Sequence, residues 1–274
     1  MISLRYIIEL ALPIYKKLAS IESMMYRFFL ENLDTTKENV VITGDEFYHL
    51  KKVLRLNAGD EIIIFDGKGN DFIARIETLG AKEAVASLKE KLEISGESKI
   101  KIVLAQGLAK GSKMDMIIQK ATELGVSEII AFITSRTVPK LKENTNKKIE
   151  RWKSITIESS KQCGRSIIPK IEEIKSFNEI LKHEWKRHLK IILWENAEDM
   201  RFRDKLSMLD NPDTKGIIVI VGPEGGFSID EVNDATNSGF LPVRLFSDII
   251  LRTETAAIAA LSIINYEISS SRNL

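Results

Sequence analysis

The residues best suited to chemistry lie in a glycine-rich turn from Gly222 to Gly226, with the sequence GPEGG. An unbroken apolar run, Ile217–Val221, comes directly before the turn, as is typical of a strand buried on both faces. Ser228 and Glu231 follow with the spacing of a capping box, which predicts a helix that begins at Ser228. In α/β proteins ligands bind at such strand–turn–helix junctions, where glycines let backbone groups approach the ligand closely.

The chemistry of this turn narrows the class of ligand. Glu224 lies in its middle, and a carboxylate there repels phosphate, so a neutral or cationic ligand fits better. The turn matches neither the dinucleotide motif GxGxxG nor the P-loop motif GxxxxGK(S/T). Tight packing without a ligand is the alternative interpretation. A second junction of similar form, Ile250–Ala256 (ILRTETA), leads into the apolar helical segment Ala256–Ile268.

Four motifs follow one another along the chain: KGSKMDMIIQKATELGV, ERWKSITIESSKQCGRSIIP, VGPEGGFS and ILRTETA. In this order they resemble the bacterial 16S rRNA uracil-N3 methyltransferases, the RNA methyltransferase E type of the SPOUT class. The resemblance covers roughly residues 26–267. It implies an α/β fold whose C-terminal SPOUT trefoil-knot domain has a mostly parallel sheet and binds S-adenosylmethionine. It also implies methylation of uridine N3 in 16S rRNA of the small ribosomal subunit, with active sites at a homodimer interface.

The reaction implied by the resemblance suggests which residues are catalytic. Uracil N3 must lose its proton before or during attack, so a base, or a cation that stabilises the uracil anion, is useful. Arg165 and Arg252 lie in matched motifs and are the candidate cations. Glu224 and Glu254 are the candidate carboxylates. A surface salt bridge is the alternative role for Arg165, and stabilisation of a helix dipole is the alternative for Glu254.

The resemblance further implies that the cofactor lies among three segments: the end of the Ile191–Trp194 strand, the glycine turn and Leu245–Leu251. Core packing is the alternative role of the apolar candidates in these segments. The family usually has a glycine shortly before ILRTETA, and Ser247 in that position would hinder close backbone approach to the cofactor. The candidate cofactor-binding residues are Leu193, Trp194, Gly222, Pro223, Glu224, Gly225, Gly226, Leu245, Ile250, Leu251 and Arg252.

Candidate RNA-binding residues are basic side chains grouped where they could contact phosphates. One group falls within a single predicted helix, so its members can share one side of that helix. The other flanks Gly111 at a predicted helix start, where backbone N–H groups favour anions. A merely solvated surface is the alternative for both groups. The candidates are His49, Lys51, Lys52 and Arg55 in the first group, and Lys110 and Lys113 in the second.

Composition limits the classes of partner. The 274-residue chain has a formal net charge of +1, so RNA contacts must come from local basic patches. One cysteine and three scattered histidines provide no metal-ligand spacing, so no metal is expected. No apolar stretch reaches the roughly 20 residues that span a bilayer, so no membrane partner is expected. The single cysteine fits a cytoplasmic location.

Hydrophobic patterns predict two domains after an N-terminal extension, residues 1–24. The extension holds a possible amphipathic helix at 6–21, or translation starts at Met24 or Met25. Residues 25–95 form a small RNA-binding β-barrel, PUA-like by the resemblance, with strands at 26–30, 40–43, 61–66, 71–79 and 84–92 and a helix at 45–55. Residues 99–274 form the methyltransferase domain, with strands at 100–105, 128–133, 190–194, 216–221 and 243–246 and a helix at 113–124.

Two other functions stay open at this point. One is a SPOUT methyltransferase that acts on another RNA nucleoside, and the other is a non-catalytic RNA-binding ribosome-assembly factor. The intact GPEGG and LRTETA motifs favour an enzyme. The segment 256–268 is the expected dimer-interface element, because small residues allow close helix approach: Ala256, Ala257, Ala259 and Ala260.

Overall fold

The computed structural model describes residues 25–93, 98, 100–137, 145–197, 202–246 and 249–270. The described residues form two compact units, the first of those up to 96 together with 161–167, and the second of those in 97–160 together with those from 168 onward. The first unit thus includes residues 161–167 from the middle of the chain, whereas the sequence predicts these residues to be in the second domain. The predicted helix at 6–21 and Ser247 lie outside the described residues.

The first unit is a curled five-stranded sheet with the order β1-β3-β4-β5-β2. β1 runs parallel to β3, and the other pairings are antiparallel. Its core packs apolar side chains such as Phe28, Ile62 and Ile64, none of which is exposed to solvent. All five predicted strands are confirmed to within a residue or two: β1 (Arg27–Phe29), β2 (Asn39–Thr43), β3 (Glu61–Phe65), β4 (Asp71–Leu79) and β5 (Glu83–Leu92).

The predicted helix at 45–55 is shorter than expected and changes its winding. It consists of α1 (Gly44–Tyr48) followed by a π-helical turn, His49–Val53. Arg55 lies beyond that turn in a left-handed conformation with φ 57°, so it is not part of the helix. The prediction that Arg55 shares a helix side with Lys51 and Lys52 is therefore wrong.

The second unit contains a seven-stranded sheet in which every pairing is parallel. Its order is β12-β10-β11-β6-β7-β8, with β9 paired to β7. A parallel sheet of this kind agrees with the predicted α/β class. Its strands are β6 (Lys101–Gly107), β7 (Glu128–Ile133), β8 (Lys170–Ile171), β9 (Lys175–Ser176), β10 (His188–Leu193), β11 (Gly216–Val221) and β12 (Leu241–Val243).

Helices cover both faces of this sheet, because its central strands are apolar on both sides. In β11, Ile217 and Val219 join one core cluster, whereas Ile218 and Ile220 join another. Within the described residues, no helix is long and apolar enough to cross a membrane. The helices are α2 (Ser112–Glu123), α3 (Thr145–Cys163), α4 (Phe177–Lys182), α5 (Phe202–Leu206), α6 (Ile229–Asn237) and α7 (Thr253–Ser270), with a 3₁₀ turn at Ser207–Asp210.

Two details of this unit differ from the sequence prediction. The strand expected at 243–246 is β12, which ends at Val243 and includes Pro242. Proline is tolerated there because β12 lies at the sheet edge and pairs only with β10. In α7, Ala257 and Ala260 are fully buried in the core of their own unit, so their small side chains serve packing within the chain. The trefoil knot stays a prediction.

Candidate active site

A cavity of about 420 Å³ opens at the carboxyl ends of β10, β11 and β12, which are neighbours in the sheet. Its walls come from the segment after β10, the glycine turn after β11, the segment after β12 and the start of α7. Every predicted cofactor-binding residue lines it, although these residues lie as far apart in sequence as Leu193 and Arg252. The fold therefore collects them in one place, and their binding role stays a prediction.

The conformation of the glycine turn is set by its packing against the chain after β7. A Cβ atom on Gly225 would lie 2.9 Å from the carbonyl oxygen of Arg136, so no larger residue fits without a shift. Gly226 has φ 64°, a left-handed conformation that favours glycine. The Arg136 guanidinium in turn donates to the carbonyl oxygen of Phe227 at 3.0 Å. Gly225 and Gly226 are thus required by the turn itself, before any ligand is considered.

The capping box at the start of α6 forms as predicted and also anchors this turn. The Ser228 hydroxyl accepts a hydrogen bond from the Glu231 backbone N–H at 3.1 Å. The Glu231 carboxylate accepts from the Ser228 N–H at 2.8 Å, and it also accepts from the Ser135 N–H at 3.0 Å. Glu231 therefore joins the helix start to the chain after β7.

Glu224 carries a negative charge at the cavity wall. Its Oε1 accepts a hydrogen bond from the Lys110 backbone N–H at 3.0 Å and lies 3.5 Å from Nζ of Lys113. Burial raises the pKa of this carboxyl, but the Lys110 and Glu224 N–H groups and the Lys113 charge outweigh burial, so its pKa is lowered. A carboxylate held in this way stays ionised at neutral pH and suits a cationic ligand better than it suits the role of a proton acceptor.

Lys113 links two carboxylates that belong to different cavity segments. Its Nζ lies 3.5 Å from Glu224 and 3.6 Å from Oε2 of Glu254. The start of α2 was expected to bind an anion. In the structure that anion is the Glu224 carboxylate, which accepts a hydrogen bond from the Lys110 N–H. Lys113 was predicted to bind RNA, yet the structure places it in the cavity wall.

The two candidate arginines lie in different units. Arg252 is exposed and lines the cavity, and its guanidinium has no hydrogen-bond or ion-pair partner within the described ranges. Arg165 belongs to the first unit and is buried, with 6% of its surface exposed. There its carbonyl oxygen accepts a hydrogen bond from Arg27 at 3.1 Å. Arg165 is thus a buried rather than a surface residue, and its catalytic role stays a prediction.

Four of the predicted RNA-binding residues lie together in the first unit. Lys52 and Arg55 are exposed, and His49 is half-buried beside Phe28. Lys51 donates to the carbonyl oxygen of Gly80 at 2.5 Å, so part of its hydrogen-bonding capacity is already used. Among these residues, Lys52 and Arg55 are the most accessible to a phosphate.

Sequence reasoning missed several residues that shape the cavity. Arg136 could not be found by pattern, because it lies in an irregular segment far from the glycine turn in sequence. Gln106 was missed because a single amide within an apolar run carries no motif, and Thr253 lies in the ILRTETA motif but was not singled out from it. Within the described part of the chain, no cluster of acidic, histidine or cysteine side chains could hold a metal ion.

Known families match both parts of the chain. Residues 96–265 match an RNA methyltransferase domain family, and residues 42–89 match an RNA methyltransferase PUA domain family. The ribosomal RNA small subunit methyltransferase E of Bacillus subtilis is 32% identical over 252 residues, covering 89% of this chain and 97% of that protein. The chain belongs to the ribosomal RNA small subunit methyltransferase E family. The Mesomycoplasma hyopneumoniae member is 34% identical and covers 87% of this chain and 98% of its own.

Solved structures of this family share the fold. A ribosomal RNA small subunit methyltransferase E from Neisseria gonorrhoeae, bound to S-adenosylmethionine, has a TM-score of 0.80 and 31% identity, and covers 89% of this chain and 98% of its own. A Legionella pneumophila protein in complex with the same cofactor has a TM-score of 0.79 and 35% identity, with coverage of 89% and 98%. These similarities confirm the expected family and fold class.

Proposed function

We propose that this chain transfers a methyl group from S-adenosylmethionine to N3 of a uridine in 16S rRNA of the small ribosomal subunit. Its relatives carry the name ribosomal RNA small subunit methyltransferase E, and two similar structures contain S-adenosylmethionine. The observation that carries the proposal is the cavity in which every predicted cofactor-binding residue meets. Residues 25–95 act as the PUA-like RNA-binding domain and residues 99–274 as the methyltransferase domain.

The cavity suits S-adenosylmethionine in size and chemistry. Its volume of about 420 Å³ falls within the range of small-molecule sites. Apolar side chains such as Leu193, Leu245 and Leu251 can surround the adenine, while the glycine turn exposes backbone groups to it. Glu224 gives the wall a negative charge that favours a cationic ligand. When bound, the cofactor supplies an electrophilic methyl group on a positively charged sulfur.

Residues of this chain would prepare the uridine for attack. Arg252 has a guanidinium at the cavity, where it can stabilise the negative charge that develops on uracil as N3 loses its proton. Arg165 is the second candidate for this role, and Glu224 contributes as an ionised carboxylate.

The RNA partner is 16S rRNA or the small ribosomal subunit that contains it. In the first unit Lys52 and Arg55 present exposed charges for phosphate contacts, with His49 and Lys51 beside them. Lys110 is exposed at the start of α2, whereas Lys113 acts mainly inside the cavity wall. An enzyme with this substrate works in the cytoplasm, where ribosomes assemble.

The active form is a homodimer. Three large apolar residues that line the cavity are unusually exposed: Phe246 at 45%, Ile249 at 65% and Ile250 at 81%. Tyr266 on the outer side of α7 is also 70% exposed. Exposed apolar surface of this kind favours a protein interface.

A direct assay tests the proposed reaction. Purified protein is incubated with methyl-labelled S-adenosylmethionine and unmodified small subunits or 16S rRNA, and the nucleosides are then separated by mass spectrometry. The expected product is 3-methyluridine. Another methylated nucleoside would support a SPOUT enzyme with different specificity, and cofactor binding without transfer to any RNA would support an assembly factor.

A further inference from the structure

A buried polar network lies directly behind the cavity wall. Gln106, the next-to-last residue of β6, is fully buried. Its Nε2 donates to the carbonyl oxygen of Gly107 at 2.9 Å, to Oγ1 of Thr253 at 2.9 Å and, more weakly, to the carbonyl oxygen of Gly222 at 3.4 Å. The Thr253 hydroxyl donates to the same Gly222 oxygen at 2.6 Å. Two side chains thus converge on the first carbonyl of the glycine turn.

This network joins three places that are distant in sequence: the end of β6, the glycine turn and the first residue of α7. Gly222 and Thr253 line the cavity, whereas Gln106 does not. The neighbouring Gly107 allows the close approach, since a Cβ atom there would lie 2.4 Å from the backbone nitrogen of Pro223. Gln106 therefore acts on the cavity through residues that face it.

Stability alone does not account for a glutamine at this position. A buried amide must find hydrogen-bond partners to offset the loss of water, and Oε1 of Gln106 has no hydrogen-bond partner among the described residues. A leucine of similar size would fill the same space without that cost. The glutamine contributes a set of directed bonds that fixes the position of Gly222 relative to Thr253.

We infer that Gln106 and Thr253 are positioning residues, which hold the glycine turn and the start of α7 at the separation that the cofactor requires. The inference rests on the proposed binding of S-adenosylmethionine in this cavity. Without the network the two segments are less ordered in the free protein, and binding must then order them at a cost in affinity.

Cofactor affinity measured by calorimetry tests the inference. Thr253→Val keeps the shape of the side chain but removes the hydroxyl, and we expect S-adenosylmethionine to bind about 10-fold more weakly. Thr253→Ser keeps the hydroxyl, so its affinity should fall much less. Gln106→Leu should also lose about 10-fold. Because both residues act in one network, the double variant should lose about 20-fold rather than the roughly 100-fold expected of independent sites.

A matched variant separates positioning from general stability. Thr156 is a buried threonine of α3 whose hydroxyl donates to the carbonyl oxygen of Lys153 at 2.8 Å, away from the cavity lining. Thr156→Val should lower the melting temperature and leave cofactor affinity unchanged. In the cofactor-free protein, Thr253→Val should accelerate amide hydrogen exchange in residues 222–227 and 252–256, and Thr156→Val should not.

The outcomes distinguish this inference from the proposed function. If the wild-type protein binds S-adenosylmethionine and both Thr253→Val and Gln106→Leu bind it equally well, only the inference is overturned. An equal loss of affinity in Thr156→Val would also overturn it, because the effect would then be one of general stability. A wild-type protein that binds no S-adenosylmethionine would overturn both.

Discussion

At the scale of single residues, the cavity wall contains a side chain whose ionisation state is set by its neighbours. Glu224 is the clearest case, because a backbone N–H and Lys113 keep it ionised despite partial burial. Its carboxylate therefore serves as a fixed negative charge in the cavity wall, facing the position proposed for a cationic cofactor. The same interactions make Glu224 part of the stability of the fold.

Replacement of Glu224 by Gln should lower stability in a pH-dependent way. The pKa of Glu224 is lowered in the folded protein, so the ionised form stabilises the fold above its unfolded pKa of about 4.3. We expect the unfolding free energy of the wild type to exceed that of Glu224→Gln by about 0.5–1 kcal/mol at pH 7, because solvent screens this exposed residue. The difference should shrink as the pH falls below about 4.3, through the lowered pKa of the folded state. Urea unfolding at several pH values measures it, and a difference independent of pH would contradict this role.

Arg252 should act on the chemical step. Arg252→Ala should lower the single-turnover rate about 100-fold, in the range for loss of one preorganised donor. A rise in pH should partly restore the rate, because more uracil is then ionised in solution. A loss of cofactor affinity without rescue by pH would show instead that Arg252 orients the cofactor segment. Full activity of both Arg252→Ala and Arg165→Ala would remove both arginines from the mechanism.

At the scale of elements, the glycine turn is stabilised mainly by its neighbours. Gly225→Ala places a Cβ atom 2.9 Å from the Arg136 carbonyl, and we expect a loss of about 1–3 kcal/mol in unfolding free energy. Gly226→Asn should cost less, because asparagine tolerates the left-handed conformation and the nearest atom would be 3.5 Å away. Thermal unfolding compares the two, and wild-type stability of Gly225→Ala would contradict the close packing.

The exposed basic side chains after α1 should contribute to RNA affinity. Neutralising Lys52 and Arg55 to Gln should weaken RNA binding and flatten its dependence on salt by roughly one unit of slope for each phosphate contact. The control is a double variant, Lys37→Gln with Lys89→Gln, which removes the same amount of positive charge from the same unit. Both of these lysines are already paired with carboxylates. An unchanged slope in the Lys52 and Arg55 variant would exclude this segment from the RNA interface.

The sequence predicted the elements better than their junctions. Apolar runs such as Ile217–Val221 mark buried strands directly, and the Ser228 capping box marks a helix start. The strand β12 was predicted at 243–246 rather than at Leu241–Val243, because Pro242 argues against a strand unless the sheet order shows that the strand lies at an edge. Gln106 was invisible for a related reason, since its role depends on partners more than a hundred residues away.

At the scale of the whole molecule, we propose that the active form contains a second copy of the chain. A charge at Ala260 would not test this, because Ala260 is fully buried in its own core and a charge there would unfold the protein. Ile258→Arg with Tyr266→Arg on the outer side of α7 should instead dissociate the dimer at micromolar concentration. Met208→Arg, at another exposed apolar residue, is the control. Light scattering measures the molar mass of each variant in solution. A wild-type protein that is monomeric and active would refute a site shared between two copies.

The uracil-N3 specificity of this enzyme can be tested by mapping the modified nucleosides of 16S rRNA. We expect rRNA from a strain lacking this gene to contain no 3-methyluridine at the target position, as judged by mass spectrometry. Complementation with the wild-type chain should restore the modification, and complementation with Arg252→Ala should restore much less. Full 3-methyluridine in 16S rRNA of the deletion strain would contradict the account.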